Sequence, residues 1–276
     1  MTQLQTPATG TRRGAGYIVT NLIAWAGALV RAPRPPAAAP FLPRYGRLLV
    51  AAGIAIVLSM IVLDQPAFHA VARVPVWVNR AFNEFTDFGR SGKFLIPLGC
   101  LILLMAIIDA PWVARGARLV MAAVVVRLGF LFVAIALPGL VGSLLKNVIG
   151  RRRPSELGPF FYEPFAWIPK FASFPSGHAT TAFGVLVAFG VLFPRLRPLL
   201  WLYAVLIALS RVVISAHYVS DVLAGALLGG LGALLVRDWF AARRLAFYVG
   251  PDRQVRPLPG PSFARLKRVA WGLFGS

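Results

Sequence analysis

Residues 119–145 read LVMAAVVVRLGFLFVAIALPGLVGSLL and contain one charged side chain, that of Arg127. A helix needs about 20 mostly apolar residues to cross the hydrocarbon core of a bilayer, and this stretch exceeds that length. It therefore predicts a membrane-spanning helix. We interpret Arg127 as a side chain that reaches back to the nearer lipid headgroups, with a buried functional charge as the alternative.

The composition of the whole chain agrees with a membrane protein. Of its 276 residues, 58% are hydrophobic and 14% are charged, whereas soluble domains average about 45–50% apolar and about 25% charged residues. A soluble globule and a disordered chain are both excluded. The single cysteine, Cys100, lies inside an apolar run, which excludes a disulfide framework and a metal site built on cysteine.

Five further apolar stretches complete a predicted set of six spans. Together they predict an all-α polytopic membrane protein, a six-transmembrane-helix bundle with interfacial amphipathic helices. In chain order the six spans are 48–63, 94–108, 119–145, 179–193, 199–215 and 219–236.

The basic residues predict the orientation of these spans. The chain has 29 Lys and Arg against 9 Asp and Glu, a net charge of +20. Placing both termini in the cytoplasm leaves 18 basic residues inside and 10 outside, in agreement with the positive-inside rule. So high a charge could also indicate nucleic acid as a partner, but the long apolar runs argue against that class.

We expect three parts along the chain. Residues 1–46 form a cytoplasmic N-terminal tail, residues 47–237 form the six-span domain, and residues 238–276 form a basic cytoplasmic C-terminal tail. Within the last part, the spacing of apolar and basic residues predicts an amphipathic helix over 263–274.

Three segments outside the spans have a pattern of their own. Apolar residues at helical spacing predict an interfacial helix over 17–30, with a signal segment or a further span as alternatives. Prolines predict a stiff extended linker over 32–43. In the first outer loop, apolar residues three or four apart over 71–85 predict a helix lying on the membrane.

Three polar clusters lie at the ends of the last four spans. Residues 146–154 leave the third span, residues 174–178 enter the fourth, and residues 210–221 join the fifth to the sixth. Because consecutive spans alternate in direction, these ends meet on one face of the membrane. We therefore expect the three clusters to lie together, on the outer face in the predicted orientation.

The second cluster has the composition of an anion site at the start of a helix. In Pro175-Ser176-Gly177, the serine can cap the helix and the glycine lets a ligand approach the backbone. The free N–H groups of such a first turn and the positive end of its dipole attract an anion. His178 lies in the same turn.

The other two clusters add a nucleophile and three cations. His217 and Asp221 are four residues apart, so on a helix they share one face. An aspartate that accepts from Nδ1–H leaves Nε2 as a nucleophile or base. Arg211 near the membrane boundary needs an anionic partner, and a phosphate would serve. With Lys146 and Arg153, these groups could bind and cleave a phosphate ester.

Each feature taken alone also has a structural interpretation. The run 151–153 is typical of a solvated or headgroup-binding loop, and a serine at a helix start is ordinary capping. His178 alone could be a structural histidine, and His217 with Asp221 a satisfied pair. The functional interpretation is favoured because the three clusters agree in residue type, spacing and side.

The clusters match the signature of the type-2 phosphatidic acid phosphatase superfamily, and the chain resembles its membrane-integral lipid phosphatase branch. The signature is Lys, six residues and Arg-Pro; then Pro-Ser-Gly-His; then Ser-Arg, five residues, His, three residues and Asp. The sequence carries it without departure, at Lys146 to Pro154, Pro175 to His178 and Ser210 to Asp221.

The resemblance implies a role for each residue of the signature. His217 would attack phosphorus and form a phosphohistidine, with Asp221 orienting it. His178 would protonate the leaving oxygen and then activate water. The remaining residues would hold the phosphoryl oxygens: Lys146, Arg153, Ser176, Gly177 and Arg211.

The residues and the resemblance together predict a phosphoric monoester hydrolase that cleaves a phosphate or pyrophosphate monoester of a lipid at the outer face of the membrane, through a phosphohistidine. No cofactor or metal is expected, because the sequence has no carboxylate cluster suited to Mg²⁺ or Zn²⁺ and the resemblance implies none. The expected partners are the substrate and membrane lipids, with no obligatory protein partner. The candidate substrates are phosphatidic acid, phosphatidylglycerophosphate, undecaprenyl pyrophosphate and the phosphates of lipid A.

Two other functions stay open at this point. A lipid phosphotransferase would use the same intermediate, and an anion transporter would use the basic residues as a vestibule. A composition rich in Ala, Arg and Pro favours a bacterial inner membrane, with the active site on the periplasmic side.

Overall fold

The computed structural model describes residues 16–274, except 36, 39, 112 and 156. Within this part of the chain there are ten α-helices and one two-stranded antiparallel sheet. The helices are α1 (Gly16–Leu29), α2 (Phe41–Val62), α3 (Asp64–Val71), α4 (Val76–Phe85), α5 (Gly92–Ile108), α6 (Arg115–Ile149), α7 (Gly177–Leu192), α8 (Arg197–Val213), α9 (Val219–Ala242) and α10 (Phe263–Phe274). The strands are β1 (Phe247–Val249) and β2 (Val255–Pro257).

All six predicted spans are helices, namely α2 and α5 to α9, and the prediction of an all-α polytopic membrane protein is confirmed. Among the described residues, five helical stretches are long and apolar enough to cross a membrane: Leu42–Val62, Val76–Ile108, Arg115–Ile149, Pro194–Val213 and Val219–Ala242. Helix α7 is shorter, with 16 residues, or about 24 Å at 1.5 Å per residue. Most of its residues are buried, so it is the central helix of the bundle.

Glycines let the backbones of α7 and α9 touch. A Cβ on Gly229 would overlap the carbonyl oxygen of Thr180, and one on Gly225 would overlap that of Ser176. Small residues at such crossings allow close van der Waals packing inside membranes. The contact also brings the start of α7 to the start of α9, where two of the polar clusters lie.

At the other end of the bundle, an aromatic cluster closes the core. The ring of Phe130 on α6 lies 5.5 Å from that of Phe240 and 4.7 Å from that of Phe247, between ring centres. Phe247 belongs to β1, which the hydrophobic pattern did not predict. Arg127 donates hydrogen bonds to the carbonyl oxygen of Ala123 on its own helix and to that of Leu258 in the C-terminal region, so backbone carbonyls stabilise its charge.

The predicted terminal helices are present. Helix α10 has the bounds predicted for it, and α1 coincides with the helix predicted over 17–30, whereas residues 1–15 lie outside the described residues. The α1 helix is bound to the end of α5. Tyr17 Oη donates to the carbonyl oxygen of Ile107, and Asn21 Nδ2 donates to that of Asp109, both at 2.8 Å.

Proline explains two differences from the predicted boundaries. The helix predicted over 71–85 begins only at Val76, as α4, and Val71 is instead the last residue of α3, because Pro75 has no backbone N–H to continue a helix and precedes a new one. The linker predicted over 32–43 is too long by three residues. Helix α2 begins at Phe41 because Pro43 is tolerated in a first turn.

Candidate active site

Lys146 and the basic run that follows it are placed by the end of α6. Gly150 ends the helix in a left-handed conformation, with φ of 62°, and its N–H donates to the carbonyl oxygen of Lys146 at 3.0 Å. A Cβ at Gly150 would overlap the backbone of Glu163, so glycine is required there. The turn directs residues 151–153 back across the end of the bundle.

The start of α7 is fixed by backbone and leaves the Ser176 side chain available. Ser176 N donates to the carbonyl oxygen of Asp221 at 2.9 Å. The prediction that Ser176 caps α7 is wrong, since its hydroxyl makes no capping hydrogen bond. Ser176 is fully buried, and its Oγ has no hydrogen-bond partner among the described residues. A buried hydroxyl in this state is an available ligand for an oxyanion.

Lys146 lies against this helix start. A Cβ built on Gly177 would be 3.3 Å from Lys146 Nζ, so the glycine gives the ammonium group room beside the first turn of α7. The charges of Arg153, Arg211 and Asp221 all act on Lys146. The three predicted cations therefore surround one region, at the positive end of a helix dipole.

Arg211 is held by the 3-10 turn Thr86–Gly89, which is not among the predicted site segments. Its Nη1 donates to Thr86 Oγ1 at 2.7 Å, and Thr86 lies in a 3-10 turn between α4 and α5. Arg211 is 7% exposed, and its Nε has no hydrogen-bond partner among the described residues. The same turn packs on His178, because a Cβ on Gly89 would be 3.0 Å from His178 Cδ2.

His217 and Asp221 meet at the start of α9, in a geometry different from the predicted one. His217 precedes α9, and Asp221 is its third residue, so the pair does not share a helical face. Nδ1 of His217 is 3.6 Å from Asp221 Oδ2, which is longer than a hydrogen bond. Ser173 lies between them. Its Oγ donates to Asp221 Oδ2 at 2.6 Å and is 3.5 Å from His217 Nδ1.

Burial lowers the pKa of His217 below its ordinary value, and the charges of Arg211 and Arg153 lower it further, while Asp221 opposes them. His217 is 3% exposed. Its imidazole is therefore kept neutral, which is the protonation state of a nucleophile.

The interpretation of residues 151–153 as a solvated loop is wrong for Arg151, which is fully buried. Its Nη1 donates to Asp221 Oδ1 at 2.5 Å and its Nη2 to Asp64 Oδ2 at 2.8 Å. Burial alone would lower the pKa of Arg151, but Asp221 and the hydrogen bond to Asp64 outweigh it and raise that pKa. Asp64, at the start of α3, was not among the predicted site residues.

Arg153 lies nearer the surface. Its Nε donates to the carbonyl oxygen of Pro169 at 2.9 Å, and its Nη1 to that of Ala216 at 3.3 Å. The second of these bonds places the guanidinium next to the residue before His217. Burial lowers the pKa of Arg153, which Asp221 partly offsets.

A cavity of about 380 Å³ adjoins this site. Lys146, Gly177 and His178 line its inner end, and Arg90 lies on the turn above. Gly89, Ser91, Gly92 and Thr181 also line it, and its apolar part comes from α5 and α6: Leu95, Ile135, Ala136, Gly139 and Leu140, with Ser143 next to them. The predicted site residues and an apolar groove are thus continuous.

The structure brings the predicted site residues together at one end of the bundle. Arg211, His217 and Lys146 all lie close enough to interact electrostatically with His178, which connects the three clusters in space. Thr86, Asp64, Arg151 and Ser173 were missed. Of these, Asp64 had a signal in the sequence, since it is an acid directly after an apolar span.

Comparisons with known proteins identify the family of the chain. The profile of the PAP2 superfamily matches residues 127–245. The chain is 35% identical over 202 residues to the lipid A 1-phosphatase of Rhizobium etli, over 72% of this chain and 86% of that protein. It is 31% identical over 124 residues to the lipid A 4'-phosphatase of Bacteroides thetaiotaomicron, over 43% of this chain and 53% of that protein. The crystal structure of Aquifex aeolicus LpxE is 23% identical, with a TM-score of 0.46, over 63% of this chain and 94% of that one. The chain is an integral membrane phosphatase of the PAP2 superfamily.

Proposed function

We propose that this phosphatase hydrolyses the phosphate monoester of a lipid through a phosphohistidine on His217. The observation that carries the proposal is the convergence of two histidines, three cations and the start of α7 at one end of the bundle. Binding a phosphoryl group among fixed cations and N–H donors stabilises the charge that its oxygens carry in the transition state.

In the first step, the lone pair of His217 Nε2 forms a bond to phosphorus on the side opposite the leaving oxygen. The P–O bond to the lipid breaks, and its electron pair stays with the leaving oxygen, which takes a proton from the imidazolium form of His178 and leaves His178 neutral. The imidazole of His217 keeps its Nδ1 proton and becomes positively charged. Asp221, 3.6 Å from Nδ1, stabilises this charge.

In the second step, water attacks the phosphohistidine. Neutral His178 takes a proton from the water, the new P–O bond forms, and the P–N bond breaks with its electron pair returning to Nε2. Inorganic phosphate leaves, and both histidines return to their starting states.

Two buried groups are suited to hold the phosphoryl oxygens. Ser176 Oγ and Arg211 Nε have no partners among the described side chains and backbone, and a buried polar group without a partner is costly. A bound phosphoryl group would satisfy both. Lys146, Arg153 and the N–H of Gly177 would complete the site, since all lie beside the first turn of α7 or the residue before His217.

Aspartates near the site favour a reaction without a metal. Asp221 accepts hydrogen bonds from Arg151, Ser173 and the N–H of Tyr218, and Asp64 pairs with the same arginine. Their oxygens are thus engaged by donors. The cations supply the positive charge that a metal would supply elsewhere.

The 1-phosphate of lipid A is the substrate we favour. The relative from Rhizobium etli is a lipid A 1-phosphatase, and it resembles this chain over most of both lengths. The apolar groove between α5 and α6 agrees with a substrate that has acyl chains. In the predicted orientation, the site faces the periplasm at the outer face of the inner membrane.

The test uses purified protein in detergent and measures inorganic phosphate released from each of four lipids. These are lipid A, phosphatidic acid, phosphatidylglycerophosphate and undecaprenyl pyrophosphate. We expect the highest kcat/KM for lipid A, with loss of the 1-phosphate and no effect of EDTA. His217→Ala should abolish release. Phosphate appearing on a second lipid instead of in solution would indicate a phosphotransferase, and release by His217→Ala would exclude His217 as the nucleophile.

A further inference from the structure

We propose that Asp64 is a positioning residue for catalysis, which acts through Arg151 and Asp221 to keep negative charge beside His217. This inference rests on the proposed function, because it concerns the charge that His217 gains in the phosphohistidine. Asp64 lies outside the three signature clusters, at the start of α3.

The contacts form one continuous network without exposed members. Arg151 bridges the two aspartates, at 2.8 Å to Asp64 and 2.5 Å to Asp221, and all three side chains are 0% exposed. Arg151 Nε donates to the carbonyl oxygen of Pro159 at 3.0 Å, and its guanidinium centre lies 4.6 Å from the centre of the Tyr218 ring. Each nitrogen of the Arg151 guanidinium therefore has a hydrogen-bond partner, and the Tyr218 ring lies against the group.

Asp64 is also bonded to the residue next to Asp221. Its Oδ1 accepts from the N–H of Ser220 at 3.0 Å, and its Oδ2 accepts from Ser220 Oγ at 2.5 Å. Ser220 Oγ is 2.7 Å from Arg151 Nη1 as well. The start of α9, which carries Asp221, is thus held from both sides by α3 and by the segment after α6.

The charges of this network explain why a second aspartate is needed. Arg151 and Asp221 alone would form a neutral pair, and the guanidinium would cancel much of the field of Asp221 at His217. Adding Asp64 gives the buried network a net charge of minus one. Charges interact more strongly in the buried interior than in water, so the net negative charge of the network acts on the imidazole of His217.

The need is greater because the groups facing His217 are otherwise positive or neutral. They are Arg211 on α8, Arg153 after α6 and His178 on α7, with Asp221 on α9 as the opposing charge. Phosphohistidine formation makes the imidazole positive in these surroundings. Asp64 offsets Arg151, so that Asp221 can stabilise the intermediate.

A double-mutant comparison separates this role from a structural one. Asp64→Asn has the same shape and removes the charge, leaving the network neutral. Asp64→Asn with Arg151→Gln removes the whole ion pair and restores the net charge of minus one, carried by Asp221. If Asp64 acts by its charge, the double variant is more active than the single variant. If Asp64 only holds the start of α9 by hydrogen bonds, the double variant is less active than the single variant, because more of those bonds are lost.

The experiment measures phosphohistidine formation by rapid mixing with radiolabelled lipid phosphate and trapping at alkaline pH, together with the pH profile of kcat/KM. We expect Asp64→Asn to slow formation by about tenfold or more, and to move the acid limb to lower pH because the unbalanced guanidinium disfavours a charged imidazole. The double variant should recover at least part of the rate and return the acid limb toward that of the wild type.

The matched control is Asp238→Asn, which breaks another ion pair, with Arg44, at the opposite end of the bundle. It should change neither the rate nor the pH profile. Should Asp64→Asn fail to fold, the double variant is compared with the wild type, and a folded double variant without activity overturns the proposal. The proposal is also overturned if Asp64→Asn folds and leaves both the rate of phosphohistidine formation and the pH profile of kcat/KM unchanged. If the wild type turns over without any phosphohistidine, the proposed function fails instead.

Discussion

Thr86 Oγ1 lies 2.7 Å from Nη1 of Arg211 and joins this cation to the turn between α4 and α5. Thr86 and Ser210 also share a hydrogen bond of 2.9 Å, and Ser210 Oγ is 2.6 Å from the carbonyl oxygen of Ile207. Both residues of the Ser-Arg pair are therefore held by one buried threonine. The orientation of the guanidinium, which we propose binds a phosphoryl group, depends on a residue more than a hundred positions away in the sequence.

Replacing Thr86 with valine should weaken phosphate binding. Valine has the same shape but cannot accept from Arg211, and a hydrogen bond to a charged group contributes about 1.5–3 kcal/mol, or roughly tenfold to a hundredfold in affinity. We expect inhibition by vanadate, a phosphate analogue, to weaken by at least about tenfold. Thr86→Ser keeps the hydroxyl and serves as the control. Equal vanadate inhibition constants in Thr86→Val and the wild type would contradict the role of Thr86.

Gly225→Ala should disrupt the contact between α7 and α9. The added methyl group would overlap the carbonyl oxygen of Ser176 and lie 3.0 Å from the Cβ of Ala179. Overpacking of this kind costs about 1–3 kcal/mol, and it would also separate Ser176 from Asp221. We expect lower thermal stability in detergent and lower phosphatase activity.

The control for this change is Gly230→Ala on the same helix. A Cβ there would meet the side chain of Val187 at 3.8 Å, an ordinary contact. Its thermal unfolding and activity should equal those of the wild type. If the two alanine variants unfold at the same temperature, the close crossing is not a requirement of the fold.

Gly139→Leu should reduce activity on lipids selectively. Gly139 lines the apolar part of the cavity, and a Cβ there has no neighbour within 4 Å, so the backbone position accepts a side chain and the rest of a leucine would fill part of the groove. We expect a higher KM for a lipid phosphate and an unchanged kcat/KM for p-nitrophenyl phosphate, which has no acyl chains. Gly129→Leu, on the same helix with equally open space, is the control. Equal loss on both substrates would show that the groove does not hold the acyl chains.

The pH dependence should follow the low pKa of His217. Burial disfavours the protonated imidazole, so the nucleophile stays neutral as the pH falls below its ordinary pKa of 6.5. The acid limb of kcat/KM should therefore lie below pH 6.5. The measurement is the pH profile for p-nitrophenyl phosphate in detergent, with protein stability checked at each pH. An acid limb above pH 6.5 would contradict the burial of a neutral nucleophile.

Local patterns in the sequence were sufficient for the spans and the signature. A span is visible because about 20 consecutive residues of it must be mostly apolar, and the three clusters are visible because the alternation of spans brings their ends together. Helix ends were predicted less well. Pro43 and Pro75 each moved a boundary, because the effect of proline depends on whether it begins a helix or interrupts one.

The residues that support the site could not be predicted in the same way. Thr86 and Asp64 contact the signature through packing between distant elements, and no spacing in the chain records those contacts, although Asp64 is recognisable as an acid directly after an apolar span. A run of three arginines is usually solvated, so the sequence pattern did not indicate that Arg151 is buried. Its burial depends on the ion pairs with Asp64 and Asp221. Ser176 has the residue type and position of a helix cap, yet its hydroxyl makes no capping hydrogen bond and has no partner among the described residues.

The position of Phe247 between α6 and α9 has a consequence for biogenesis. The ring packs on Phe130 and Phe240, so the membrane helices are completed by a strand that leaves the ribosome after all of them. Insertion by the translocon therefore cannot finish assembly. A chain stopped after α9 would expose an aromatic surface of α6, and we expect membrane proteases to remove it, whereas a chain stopped after β2 should accumulate.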